Sequence, residues 1–389
     1  MRVDLASLET FNRIGTAGAT QAADALSMLT DSDTFVKSTK INFTPIDSID
    51  SLFRDVETAV AIDFDGGLEG NALLVFDESS ADHVLDELSE PGQEPNSAYL
   101  NEVANIMTSS FVDGWAEQLS ETIDISTPTT VENPAHQIPS DELADFSFVF
   151  ESEIAVDEGD NVCRFYLLPE PESFLAMLQK SGDESTDTGV SIRELSTFIS
   201  LTAAGAETVA TNLEMMTGIE TDVAVTHLDF VPIKNVARAI DESEYAGTIF
   251  EFGGAIDGYL AVMFKSDSVA TVTDALLPAG ATGDAMQQSA IEEIGNITAS
   301  GFIDGWANAL DTTIDHSVPD FVDDMGHAVL ESVAVQLARS QEFAYVFDVT
   351  ITAGDPLNCR LFAFPEADGF RKVVSGLDED LDVSTVERV

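Results

Sequence analysis

The sequence predicts an α+β protein of two homologous domains, each an internal pseudo-twofold duplication with long helices packed on a largely antiparallel sheet. Three observations predict this. First, the chain repeats itself: SAIEEIGNITASGFIDGWANALDTTIDHSVPDFV (289–322) matches AYLNEVANIMTSSFVDGWAEQLSETIDISTPTTV (98–131), and such repeats decide the fold before any finer reading. Second, within the first half one constant shift carries Glu9 onto Glu102, Asn12 onto Asn105 and Leu26 onto Leu119. Third, the helical segments are followed by short apolar runs around glycine turns, the pattern of neighbouring hairpins and hence of an antiparallel sheet with helices on it.

The remaining matches extend the repeat over both halves. LETFNRIGTAGA (8–19) matches LSTFISLTAAGA (195–206), FDGGLEGNALLVF (64–76) matches FGGAIDGYLAVMF (252–264), and CRFYLLPEPESF (163–174) matches CRLFAFPEADGF (359–370). The expected organisation is a first domain over 1–180, a polar linker over 181–189, a second domain over 190–375 and an acidic tail over 376–389. A chain of 389 residues exceeds what one compact core usually holds, and two domains of roughly 190 residues fit it.

Taken in order, the elements read as follows. Helix one is expected over 5–29 and its counterpart over 192–216, where Ser191 and Glu194 form a capping box. Val56–Phe64 and Ala72–Phe76 read as strands joined by a turn at Gly66-Gly67. Helix two follows Pro95 over 97–121. Its counterpart is expected over 290–311, opened by a second capping box of Ser289 and Glu292. Pro128 and Pro319 end loops and start strands. Phe146–Val156 and Val162–Leu168 read as a hairpin turning at Glu158-Gly159-Asp160, with the equivalent turn at Ala353-Gly354-Asp355. Cys163 and Cys359 lie in matching contexts and read as buried small residues of equivalent strands, not as a disulfide.

Charge sets the class of partner. Sixteen Lys+Arg face 71 Asp+Glu, a net charge of −55, spread over loops and helix faces rather than in one tail. Such a surface suits a host at molar salt, where screening relieves self-repulsion. No basic cluster is present to neutralise phosphates, so nucleic acid is not an expected partner. No apolar run approaches the ~20 residues of a membrane span, and the N-terminus opens into a helix rather than a signal peptide. The expected location is the cytoplasm.

The chemistry-bearing signal is Glu-x-x-Asn. It occurs as Glu9/Asn12, Glu102/Asn105 and Glu293/Asn296, while the fourth equivalent place holds Ser196/Ile199. Residues three apart lie about 60° apart around a helix, so each pair shares a face. In the second domain Ile291, Ile294, Ile297, Phe302, Trp306 and Leu310 form the apolar stripe. Glu293, Asn296 and Ser300 fall on the other side, as do Glu102, Asn105 and Ser109. The Glu/Asn pairs should therefore be exposed. Glu and Asn are ordinary on solvated helix faces, but Asn is a below-average helix former, so its recurrence in mid-helix has no propensity explanation. Gly114-Trp115 and Gly305-Trp306 read as packing, a small residue beside a large one that fits close helix-to-sheet contact. The histidines show no metal-ligand spacing, and no phosphate-cradling glycine motif is present.

Glu-x-x-Asn followed at a fixed distance by proline, as Glu102-Val-Ala-Asn105 to Pro128 and Glu293-Ile-Gly-Asn296 to Pro319, resembles the CheC family of chemotaxis phosphatases, which includes CheX and the phosphatase-like domains of FliY. Glu9/Asn12 resembles the first of the two motifs in a CheC protomer. The resemblance covers roughly 5–175 and 190–373. It implies docking onto the phosphorylated receiver protein CheY. Asn105 or Asn296 would orient a water in line with the aspartyl phosphate, and Glu102 or Glu293 would pair with a receiver lysine. It also implies no cofactor in this chain, with Mg²⁺ on the receiver, and CheD as a further partner. The tandem doubling departs from the usual single unit, and Ser196/Ile199 can supply neither role. Arg13 follows Asn12 where Ile106 and Ile297 follow the other asparagines, which sets the Glu9/Asn12 site apart. A competing reading is a non-catalytic adaptor that binds CheD or a response regulator in adaptation.

Overall fold

The computed structural model describes residues 2–3, 5–30, 32–53, 58–76, 81, 97–131, 134, 146–156, 160–181, 190–218, 220–276, 283–353 and 357–377. Two compact units divide the chain, Val3–Asp187 and Thr188–Val389. Of the expected features, Pro95, the hairpin-turn residues 157–159 and 354–356, linker residues 182–189 and tail residues 378–389 lie outside the described residues.

Unit one opens with α1 (Leu5–Thr30) and β1 (Thr34–Pro45), then a 3-10 turn (Ile46–Phe53) and the hairpin β2 (Thr58–Gly66) and β3 (Gly70–Phe76). Then come α2 (Ser97–Leu119), the short β4 (Ile123–Ile125) and β5 (Thr129–Val131), the hairpin β6 (Phe146–Val156) and β7 (Asp160–Pro169), and α3 (Pro171–Ser181). The sheet order is β1-β6-β7-β3-β2-β4, with β5 also on β2, and every described pairing is antiparallel.

Unit two repeats the plan. α4 (Ile192–Thr217) leads to β8 (Asp222–Pro232), a 3-10 turn (Ile233–Ala239), β9 (Glu244–Gly254), β10 (Gly258–Lys265) and α5 (Ser266–Leu276). α6 (Asp284–Ala309) leads to β11 (Ile314–His316), β12 (Asp320–Met325), α7 (Gly326–Leu337), β13 (Phe343–Ala353), β14 (Leu357–Pro365) and α8 (Ala367–Val374). Its sheet order is β8-β13-β14-β10-β9-β11, with β12 also on β9. The order is a palindrome. Exchanging the first half of a unit for its second reverses the sheet onto itself about an axis between β7 and β3, or between β14 and β10.

The helix crossing obeys the same axis. A Cβ on Gly18 would lie 2.8 Å from the Phe111 carbonyl oxygen, and one on Gly114 2.9 Å from the Gly18 Cα. In unit two a Cβ on Gly305 would lie 2.9 Å from the Gly205 Cα. The glycines beside the tryptophans thus let paired helices touch backbone to backbone, while Trp115 and Trp306 are fully buried. Each tryptophan joins an equivalent aromatic cluster in its own unit. Trp115 packs on Phe11 and Phe150, which both pack on Phe174, and Trp306 packs on Phe198 and Phe347, which both pack on Phe370, with Phe11 to Phe174 at 5.1 Å and Phe198 to Phe370 at 5.2 Å between ring centroids. The opposite sheet face of unit two is covered by α7 and the 3-10 turn, through Val236, Leu330, Val333 and Leu337 on Tyr245 and Phe362.

Several local expectations hold. α4 carries the Ser191/Glu194 capping box, with Glu194 N donating to Ser191 Oγ at 3.0 Å and Ser191 N donating to the Glu194 carboxylate at 2.6 Å. Cys163 and Cys359 form no disulfide and are buried on β7 and β14, and burial pushes the Cys359 thiol well above the usual range. The second expected capping box does not form. α6 begins at Asp284 after Gly283, whose φ of 127° suits glycine alone, and no side chain caps it. Ser289 and Glu292 lie inside the helix, where Glu292 accepts from Gln288 Nε2 at 2.8 Å. Asp284–Gln288 extends the helix toward its N-terminus, so the start is set by the glycine conformation rather than by a serine. α2 ends at Leu119, two residues earlier than expected, at a left-handed Ser120 (φ 55°); Asp311 (φ 47°) takes the same role after α6.

Gly295, between Glu293 and Asn296, seats α6 closely on the sheet. A Cβ there would fall 2.1 Å from Thr248 Oγ1. Gly295→Ala is expected to destabilise unit two by about 1–3 kcal/mol through overpacking, read as an earlier denaturant transition. An unchanged transition would show that α6 can lift off the sheet at no cost.

Candidate functional site

The three Glu/Asn pairs do not share one environment. On α2 Glu102 and Asn105 are exposed, and on α6 Glu293 is exposed and Asn296 half-buried at the surface. These four side chains lie where the helical pattern puts them, opposite the buried Ile291, Ile294 and Phe302. On α1, by contrast, Asn12 is 1% exposed, and its Nδ2 donates to the Thr39 carbonyl of β1 at 3.3 Å. Glu9 lies 3.8 Å from Arg13 across one helical turn. The exposure expected for Asn12 is therefore corrected: its carboxamide is committed to the sheet. Its counterpart on α4, Ile199, is 3% exposed, so this face of the first helix is a core face in both units.

The sheet edges account for the difference. β1 pairs with β6 from Thr34 to Pro45, interrupted by a shift at Val36/Ser38, and its Thr39 lies against α1. The matching edge beside α2 is split. Phe64 pairs with Ile125 and Ala61 with Thr129, so Ile62 and Asp63 face Ser126, Thr127 and Pro128. In unit two Phe252 pairs with His316 and Ile249 with Asp320, so Phe250 and Glu251 face Ser317, Val318 and Pro319. The extra residue makes a bulge, and proline, lacking an N–H, sits where no ladder bond is needed.

A serine locks each bulge. Ser126 N donates to the Asp63 carbonyl at 2.8 Å while Asp63 N donates to Ser126 Oγ at 2.9 Å. Ser317 and Glu251 repeat this at 2.8 and 3.1 Å. The bulge stands level with the Glu/Asn pair. Thr130 Oγ1 donates to Asn101 Oδ1 at 3.0 Å on the near side of Glu102. In unit two Ser300, one turn beyond Asn296, lies 2.9 Å from His316 Nε2. Pro128 precedes Thr130 by two residues and Pro319 follows His316 by three, so in each unit the proline bulge adjoins the point where strand and helix are tied. The fixed distance from Glu to Pro in the sequence thus corresponds to a helix face and the strand break beside it.

Sequence reasoning missed Ser126, Ser317, Thr130 and His316. The first two were legible as Ser-x-Pro at the same place in each repeat. Among the described residues no group of three or more His, Cys, Asp or Glu is arranged to hold a metal ion, and no helix is long and apolar enough to cross a membrane.

Asn12→Ala is expected to cost about 1–3 kcal/mol, because it leaves the Thr39 carbonyl without its donor inside the protein. Thermal unfolding measures this, and a variant as stable as wild type would show the bond contributes nothing.

Comparison with known proteins finds relatives of this chain. A model of the CheC-like family matches residues 97–132 and 286–322, the two stretches that hold α2 and α6 with their bulges. A Halobacterium salinarum protein named as a candidate CheY-P phosphatase, CheC1, is 31% identical over 198 residues, which is 49% of this chain and 99% of that protein. The CheY-P phosphatase CheC of Bacillus subtilis is 31% identical over 101 residues, covering 25% of this chain and 48% of the relative. Among solved structures, FliY of Thermotoga maritima aligns over 46% of this chain and 97% of its own, at 20% identity and a TM-score of 0.38. Near-complete coverage of the Halobacterium relative at 31% identity, in a chain that carries the family's matched segment twice, makes this protein a member of the CheC-like family.

Proposed function

We propose that this protein hydrolyses the aspartyl phosphate of a phosphorylated CheY-type receiver, at two sites: Glu102/Asn105 and Glu293/Asn296. The observation that carries the reading is the surface presentation of the same carboxylate and carboxamide beside the same proline bulge in both units. The names of the relatives in Halobacterium and Bacillus support the substrate class.

The division of labour follows from the side chains. An aspartyl phosphate is an activated acyl phosphate, so its hydrolysis needs a placed water and little covalent help. A carboxamide accepts from water through its oxygen while its NH₂ donates elsewhere. Asn105 or Asn296 therefore orients the water. The water oxygen bonds to phosphorus, the receiver's aspartate oxygen leaves as carboxylate, and the proton passes to the released phosphate or solvent. Glu102 or Glu293, one turn back, pairs with a receiver lysine and fixes the docking register. Mg²⁺ belongs to the receiver in this proposal. Glu9/Asn12 is left out, because a buried amide bonded to Thr39 has no route to a partner.

The test is release of inorganic phosphate from the phosphorylated receiver in molar KCl, with and without the protein. Acceleration at catalytic amounts supports the reading. Binding to receiver or CheD with no acceleration at any concentration would replace it with the adaptor.

A further inference from the structure

We infer that His316 is a positioning residue for Asn296, a device that unit two has and unit one lacks; the inference rests on the phosphatase reading above. His316 is the last residue of β11, directly before the bulge. Its Nε2 lies 2.9 Å from Ser300 Oγ, and its Nδ1 lies 2.9 Å from the Ser317 carbonyl oxygen. The imidazole also stands edge-on to Phe250, at 5.3 Å between centroids and 83° between planes, and Phe250 is wholly buried. Three contacts in three directions hold the ring.

The ring ties together the two parts that make the site. Ser300 lies one turn beyond Asn296 on α6, and its hydroxyl is 2.8 Å from the Asn296 carbonyl oxygen. Ser317 opens the bulge that carries Pro319. Facing a carbonyl, Nδ1 is assigned the hydrogen. Nε2 then holds a lone pair toward the Ser300 hydroxyl. Ser300 has one hydroxyl hydrogen, which serves either the Asn296 carbonyl or His316 Nε2; donated to Nε2, it ties α6 one turn beyond Asn296 through His316 to Ser317 on the bulge.

Unit one has the same serine without the ring. Ser109 Oγ donates to the Asn105 carbonyl at 2.6 Å, but the register position of His316 is taken by Ile125, which has no polar atom to offer. Orienting a water demands that the carboxamide be held to a fraction of an ångström, and supporting contacts supply that precision. The two sites are thus alike in the side chains that touch the receiver and unlike in what steadies them, and unit two is the faster site.

The test uses the full chain carrying Asn105→Ala, so that unit two alone is read. His316→Ile, which installs unit one's own residue, should lower the maximal rate of phosphate release about fivefold, the equivalent of one hydrogen bond, with the half-saturating receiver concentration unchanged. His316→Gln, whose amide reaches as far as Nε2, should recover most of that rate. An unaltered rate in His316→Ile, a glutamine variant as slow as isoleucine, or a change in half-saturation alone would overturn the inference. If Asn105→Ala does not accelerate release at all while wild type does, or neither does, the unit-two phosphatase reading has failed. The clamp itself is then judged by amide hydrogen exchange. His316→Ile should speed exchange of 296–300 and 314–317 about tenfold with the far-UV spectrum unchanged, and unchanged exchange would dismiss it.

Discussion

Replacing Asn105 and Asn296 together by alanine is expected to slow receiver dephosphorylation by about 10²–10³, the usual scale for a lost orienting group in a preorganised site, while receiver binding stays within a few-fold of wild type. Neither asparagine contributes to the core: Asn105 is exposed and Asn296 half-buried, on helices whose apolar residues point the other way. The change therefore removes a carboxamide and leaves the docking face, with Glu102 and Glu293, in place. Phosphate release and receiver affinity measured side by side decide the matter. Rate and affinity falling together would mean that the asparagines serve docking. A rate kept by the double variant would mean that hydrolysis happens elsewhere on the chain, and the buried Asn12 would not explain it.

Lowering KCl from molar to about 0.1 M is expected to unfold the protein at room temperature. With 71 acidic and 16 basic residues, carboxylates outnumber bases by 55. The repulsion among them is screened over about 3 Å in molar salt and over about 10 Å at 0.1 M. Net stabilities of only about 5–15 kcal/mol do not withstand such a rise. Circular dichroism against KCl concentration measures it, with NaCl and a neutral osmolyte as controls for screening and exclusion. A cooperative fold that persists at 0.1 M would show that packing in each unit outweighs the surface charge. The halophilic character agrees with the Halobacterium relative.

Much of the architecture was legible because repetition multiplies weak local signals. One glycine beside a tryptophan says little, but Gly114-Trp115 and Gly305-Trp306 at equivalent places marked close packing, which was expected between helix and sheet and which the structure places between the paired helices. The hairpin strand Phe146–Val156 could be read from its apolar content to the residue. β1 and β8 went unread, although Lys40-Ile-Asn-Phe-Thr and His227-Leu-Asp-Phe-Val alternate in step. Their polar positions carry buried groups, among them Asn42 and Asp229, so the alternation does not separate water from core. The helices α3, α5, α7 and α8 also went unread, being short segments whose helicity rests on packing more than on propensity.

The candidate site divides the same way. Helical period and the repeat were enough to put Glu102/Asn105 and Glu293/Asn296 on outward faces, since these depend only on residues within one helix. They were not enough for Asn12, which has its glutamate at the same spacing and is buried all the same. Its fate depends on β1, a strand more than twenty residues further along that passes close enough to offer the Thr39 carbonyl, where the corresponding edge beside α2 bulges at Pro128. A residue's place on its helix is local information. What lies against that face is set by strand pairing between distant segments, and only the packed fold contains it.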